Sequence, residues 1–248
     1  VERCARVVTY SIQHAPWVPE RRAIVADLAR VTGARIVQDV AREGAWATNR
    51  KAWSWGLTTG STHHCVLQDD IGLCADFKAT VEALVAVRPA DPIWLFTQRS
   101  QPDPFNRPVC HWLRIRDPLA ALGVVMPVRL VRSFLAWVSE VPSAYIGPHN
   151  DDVRWRLFLG RCRIEAWATV PSVVEHLQPS ASFCGNSNGG RVARKFIGSD
   201  VSGLSVDWSV YEEAPTVGSF DWRSYAVRCG LPQAWVDWQE TRTVVLRR

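Results

Sequence analysis

The stretch Cys65-Val66-Leu67-Gln68-Asp69-Asp70-Ile71 carries the strongest structural signal in the chain. A short apolar run has the pattern of a buried strand, and it ends abruptly in two adjacent carboxylates. Neighbouring acids repel each other, so such a strand end becomes favourable when a cation neutralises it. Hard oxygen donors suit Mg²⁺ or Mn²⁺, ions that usually accompany phosphorylated ligands.

Outward from this strand, strand-like and helix-like segments alternate. Val7-Val8-Thr9-Tyr10-Ser11-Ile12 reads as a first strand. Pro19 opens a helix with Ile24, Leu28 and Val31 on one face, and Gly33 stops it. Arg35-Ile36-Val37 is a short second strand ending at Gln38-Asp39. Helices are expected from about Trp46 to Leu57, from Asp76 to Val87, from Val128 to Glu140 and after Asp151-Asp152. Further strands are expected at 93–96, at 109–115 and at 164–170. This alternation predicts an α/β fold with a mainly parallel sheet flanked by helices. In such sheets ligands bind beyond the carboxyl ends of the strands, where Asp39 and Asp69-Asp70 both fall.

The length of 248 residues suits one large domain, read here as 1–198, with a C-terminal extension over 199–248. No apolar run approaches the roughly 20 residues of a membrane span, and the start VERCARVVTY shows no long apolar leader segment. A cytoplasmic protein is the resulting expectation. Seven cysteines without a CxxC pair argue for reduced, buried thiols. His63-His64-Cys65 has no partner at zinc-finger spacing. The net charge is +5, and lysine occurs only at positions 51, 78 and 195, so the positive charge is almost all arginine. Arginine suits bidentate recognition of phosphate and carboxylate, and the balance permits a polyanionic partner such as nucleic acid.

Three later motifs bear on chemistry. Gly147-Pro148 forces a turn before His149-Asn150-Asp151-Asp152, where acids open a helix. A carboxylate there can cap the helix or act as a general base toward an attacking hydroxyl. His176 follows Pro171-Ser172-Val173-Val174-Glu175, and a neutral imidazole there can complete a metal's coordination. Gly185-Asn186-Ser187-Asn188-Gly189-Gly190-Arg191, with Arg194-Lys195 behind it, is a loop able to close over a diphosphate, though it lacks P-loop order.

The order of these elements resembles the GT-A type glycosyltransferases, over roughly residues 5–198. Val66-Leu67-Gln68-Asp69-Asp70-Ile71 is similar to that family's metal-holding acidic motif, with Gln68 in place of the usual first acid. The resemblance implies a Rossmann-like nucleotide-binding sheet, Mn²⁺ or Mg²⁺ held by Asp70 and His176, and a nucleoside-diphosphate sugar, with UDP favoured, as donor. It implies donor contacts from Asp39, Asn49, Arg50, Trp53 and Asp69, and a catalytic base at Asp151 or Asp152, while Arg191 is a donor-contact candidate from the 185–191 loop itself. Hexosyl or pentosyl transfer with inversion follows from the same resemblance. Small transferases of this appearance also occur in bacteriophages, where some glycosylate hydroxymethylated bases in DNA and others modify proteins. The acceptor class therefore includes DNA, and otherwise a protein or a glycan. Thirteen tryptophans suit either an extruded base or a stacked sugar, and also a core.

Two other classes use the same residues. A metal-dependent phosphodiesterase or nuclease would employ the acids and His176 but calls for a more clustered, two-metal ligand set. A non-catalytic carbohydrate- or nucleic-acid-binding protein would bind without metal or turnover.

Overall fold

The computed structural model describes residues 7–98, 111–115, 120–141, 151–177, 192–210 and 216–217. It is a three-layer α/β arrangement of the Rossmann-like kind. The strands are β1 (Val8–His14), β2 (Arg35–Gln38), β3 (His63–Gln68), β4 (Ile71–Leu73) and β5 (Ile93–Trp94). They continue with β6 (Trp112–Ile115), β7 (Gly123–Pro127), β8 (Ala166–Thr169), β9 (Val174–His176) and β10 (Thr216–Val217). The helices are α1 (Arg21–Thr32), α2 (Ala45–Gly56), α3 (Phe77–Val87), α4 (Val128–Glu140) and α5 (Asp151–Cys162).

Eight strands form one sheet in the order β10-β6-β8-β5-β7-β3-β1-β2. The pairs β1–β2, β1–β3, β5–β8 and β6–β10 are parallel. The pairs β3–β7, β5–β7 and β6–β8 are antiparallel, so the mainly parallel sheet is mixed. The mixing has two sources: β7 runs against both neighbours in the middle of the sheet, and β6 with β10 runs against β8 at one edge. The GVVMP run of β7 is buried throughout and too short to show a period, so pattern reading passed over it.

Side-chain alternation divides the core between the two faces. Cys65 and Leu67 join Val25 and Leu28 of α1 and Phe77, Val81 and Leu84 of α3. Val66, Val124 and Met126 face Trp53 of α2, Phe134 of α4 and Trp155 of α5. Trp53, Trp94, Trp112, Trp137, Trp155, Trp167 and Trp208 are all buried, so they are core residues and offer no stacking surface to DNA or a sugar. Cys65 and Cys74 are free and buried, and burial pushes both thiols up, as a structural reading of the cysteines expects. The chain past residue 198 returns to the same core: the Trp112 indole N–H donates to the Trp208 carbonyl at 2.7 Å. Gly203 lies so close to α3 that a Cβ there would fall 2.4 Å from Thr80 side-chain atoms. No helix among the described residues is long and apolar enough to cross a membrane.

His64 fastens α2 to the sheet. It is fully buried, with Nδ1 2.9 Å from Thr9 Oγ1 and Nε2 2.9 Å from Ser11 Oγ. The edges of Trp53 and Trp55 meet its ring. Gly56 is required here, because a Cβ would stand 2.4 Å from the imidazole. Thr9, Thr59 and Ser61 extend the network, so His64 sits among hydroxyls rather than metal ligands.

Burial pushes His64 down to about 4 from its ordinary 6.5. Between these values the unfolded chain binds a proton that the folded chain refuses. Stability therefore rises with pH across that window and is lost as pH falls from 6.5 toward 4. The shift corresponds to about 3 kcal/mol, at about 1.4 kcal/mol per unit. Urea unfolding at several pH values from 7 to 5 should show this loss in the native protein and a flatter profile in His64→Gln. Equal slopes would remove His64 as the cause.

Candidate active site at the carboxyl edge of the sheet

The parallel strands β1, β2 and β3 end together, and their last residues form one edge. Backbone bonds lock this edge: Asp39 N–H donates to the His14 carbonyl at 2.9 Å, and Gln68 N–H donates to the Leu122 carbonyl at 2.9 Å. Asp69 and Asp70 follow directly, both nearly buried.

The two carboxylates are neutralised from within the chain. Arg21, the first residue of α1, places Nη1 2.5 Å from Asp69 Oδ1 and Nη2 3.0 Å from Asp70 Oδ2. One planar guanidinium thus spans both acids. Asp69 Oδ2 also accepts from Ala15 N–H at 2.8 Å and lies 3.0 Å from His14 Nδ1. A carboxylate only accepts, so His14 Nδ1 carries the proton. Asp69 therefore ties the end of β1, the start of α1 and the end of β3 to one another. The idea that these acids need an external cation is corrected here, because Arg21 already supplies one positive charge. Within this trio two carboxylates face one guanidinium.

A small second sheet brings His176 to Asp70. Strand β9 pairs antiparallel with β4, with Ile71 opposite His176, and Leu177 N–H donates to the Asp70 carbonyl at 2.9 Å. As a result His176 Nε2 stands 3.4 Å from Asp70 Oδ2. That is longer than the roughly 2.7–2.9 Å of a charge-assisted hydrogen bond. It is close to the spacing of about 3 Å between adjacent donors on one octahedral ion with ligands at about 2.1 Å. His176 Nδ1 is buried and makes no hydrogen bond among the described residues. An oxygen and an imidazole nitrogen side by side are donors that could hold a divalent ion such as Mn²⁺. Among the described residues no cluster of three or more His, Cys, Asp or Glu forms a fuller cage. An ion here would take its remaining ligands from a diphosphate and water, as Mg²⁺-type ions commonly do.

The N-terminus of α5 reaches the same edge. Asp152 Oδ1 accepts from Ala121 N–H at 2.8 Å, and Ala121 adjoins Leu122, whose carbonyl holds Gln68. Asp151 opens α5, but its side chain and the whole 185–191 loop, Arg191 included, lie outside the described residues. The other expected donor contacts divide by burial. Asp39 accepts Glu43 N–H and Gly44 N–H, both at 2.8 Å, and so holds the turn that leads into α2. Trp53 packs against Trp155 in the core and Asn49 is buried within α2, so neither presents a surface at the edge, whereas Arg50 is exposed.

Sequence reasoning missed Arg21 and His14. One signal was present: a cation in the first turn of a helix opposes the helix dipole, so Arg21 at the start of α1 implied an anionic partner.

No family model matches the sequence, and no curated protein matches it. Solved structures are loosely similar, two of them as follows. The crystal structure of A197 from STIV aligns with a TM-score of 0.41 at 12% identity, over 68% of this chain and 83% of that one. A glycosyltransferase involved in glycosylation of the major capsid of PBCV-1 aligns with a TM-score of 0.24 at 10% identity, over 54% of this chain and 68% of that one. The topology and site geometry above stand independently of both.

The two acids should differ in their structural weight. Asp69→Ala deprives Arg21, His14 and the Ala15 amide of a shared acceptor, and is expected to cost on the order of 3 kcal/mol or more. Asp70→Ala leaves Arg21 paired with Asp69 and should cost clearly less. Urea denaturation of both variants measures the difference; equal losses would contradict the anchoring role of Asp69.

Proposed function

We propose that this protein is a glycosyltransferase that moves a sugar from a nucleoside-diphosphate donor, UDP-linked by preference, to an acceptor hydroxyl. The observation that carries this reading is the juxtaposition of Asp70 and His176, 3.4 Å apart at the end of β3. Residues more than a hundred positions apart are brought together by β4–β9 pairing, beside the strand ends where α/β sheets bind ligands. Asp70 and His176 would hold Mn²⁺ or Mg²⁺, which when bound offsets charge growing on the departing diphosphate.

The chain's own residues divide the remaining work. Asp69, fixed by Arg21, His14 and Ala15, holds the β1–α1 connection in place beside Asp70. Asp151 or Asp152, at the start of α5, takes the proton from the acceptor hydroxyl. The alkoxide then attacks the anomeric carbon from the face opposite the diphosphate, and the bond to the diphosphate oxygen breaks. The configuration inverts. Arg50 and Arg191 are the donor contacts retained in this reading, whereas Asp39 is buried with both carboxylate oxygens on backbone amides. The acceptor classes are DNA carrying hydroxymethylated bases, protein or glycan. The support for DNA is the arginine-rich positive charge alone, since the described tryptophans cited for it are mostly core.

Thermal melting against a panel of nucleotide sugars with Mn²⁺ tests the donor. At a hundred times Kd, a true donor adds about 2.7 kcal/mol of stability. Asp70→Asn and His176→Ala should lose the metal-dependent part of that gain. A gain unaffected by chelator or by either substitution would sink the metal assignment. For the base, the correct one of Asp151→Asn and Asp152→Asn should lose about 10²- to 10⁴-fold in turnover with donor binding intact. Unchanged turnover in both would place the base elsewhere.

A further inference from the structure

Arg21 occupies the position that a metal site can least easily spare. Its Nη2 lies 3.0 Å from Asp70 Oδ2, the same oxygen that faces His176 Nε2. The guanidinium is nearly buried, so water screens its charge poorly. A divalent cation at Asp70 and His176 would meet a full positive charge on the neighbouring contact. The same charge is what makes the adjacent carboxylates tolerable in the absence of any ion.

We propose that Arg21 is a built-in counter-ion that keeps the free protein a poor binder of divalent metal, so that an ion is held firmly only together with the diphosphate that carries it. This rests on the reading of Asp70 and His176 as metal ligands. Arg21 is thus a positioning residue: it acts through the two carboxylates and sets the order in which the site fills. A diphosphate brings the negative charge that outweighs the repulsion between guanidinium and metal. The arrangement discriminates against free cations and in favour of a metal–nucleotide complex. It also holds Asp69 and Asp70 in one geometry before the ligand arrives. Arg21 sits at the N-terminus of α1, where its charge is unfavourable to the helix dipole, so the two acids outweigh a local cost.

The test is Mn²⁺ titration followed by electron paramagnetic resonance, with and without UDP, on the full chain. The native protein alone should bind Mn²⁺ weakly, and UDP should strengthen binding at least ten-fold. Arg21→Gln, without UDP, should bind Mn²⁺ ten-fold or more tightly than the native protein, because the guanidinium charge beside Asp70 Oδ2 no longer repels the ion. Arg21→Lys retains one charge that cannot span both acids, and should fall between; it carries the test if Arg21→Gln fails to fold. In the native protein, ¹⁵N resonances of the Arg21 guanidinium should move when Mg²⁺ and UDP are added together and hardly at all with Mg²⁺ alone. Tight Mn²⁺ binding by the native protein without UDP would overturn the inference. So would folded Arg21 variants with no gain in affinity. Asp70→Asn separates the two levels. If Mn²⁺ binding with UDP depends on Asp70 but not on Arg21, the counter-ion role alone fails. If no Mn²⁺ binding depends on Asp70, the metal site fails and the inference with it.

Discussion

The fork of Arg21 across Asp69 and Asp70 is the constraint around which the working edge of this molecule is organised. Adjacent buried acids are unstable alone, and a buried guanidinium is equally so. Together they satisfy one another only if α1 starts where it does, β3 ends where it does, and the loop after β1 brings Ala15 and His14 onto Asp69. A buried ion cluster of this kind contributes little net stability compared with an apolar core of the same volume. Its effect is positional: it fixes the orientation of Asp70, and the β4–β9 pair then delivers His176 to it.

The rest of the fold makes that edge rigid. Apolar side chains on the two faces of the sheet pack against α1 and α3 on one side and α2, α4 and α5 on the other. The buried network of His64 joins β1 to β3 and packs against Trp53, Trp55 and Gly56 of α2, while Asp39 holds the turn that leads into that helix. The site is therefore held by the ends of regular elements, whose positions are fixed by packing.

Much of the scaffold was legible in the sequence because its signals are local. The Gly33 stop of α1 is realised by a left-handed backbone with φ of 69°. The apolar faces of α3 and α4 gave their extents closely. The strand before Asp69 was visible because an apolar run meets two charges. What escaped were features set by tertiary pairing. Strand β7 is too short and too uniformly apolar to declare a period, and β4 and β9 have three residues each. The candidate site was legible as residue types: Asp70 and His176 were both visible, but their contact depends on β4 meeting β9. Arg21 escaped because one arginine among many carries no mark of its partner, apart from its unfavourable place in a helix's first turn. The tryptophans misled for a related reason: composition counts rings without saying which way they face, and most described ones face inward.

The central claim is that Asp70 and His176 jointly hold a divalent ion against the diphosphate of a nucleotide. A crystal structure of the protein with UDP and Mn²⁺, with the ion located by its anomalous signal, tests it most directly. The account predicts manganese within about 2.0–2.3 Å of an Asp70 oxygen and a His176 nitrogen, with diphosphate oxygens completing its shell. Nucleotide bound away from the carboxyl edge of β1–β3, or bound there with Arg21 and no metal between Asp70 and the phosphates, would contradict it.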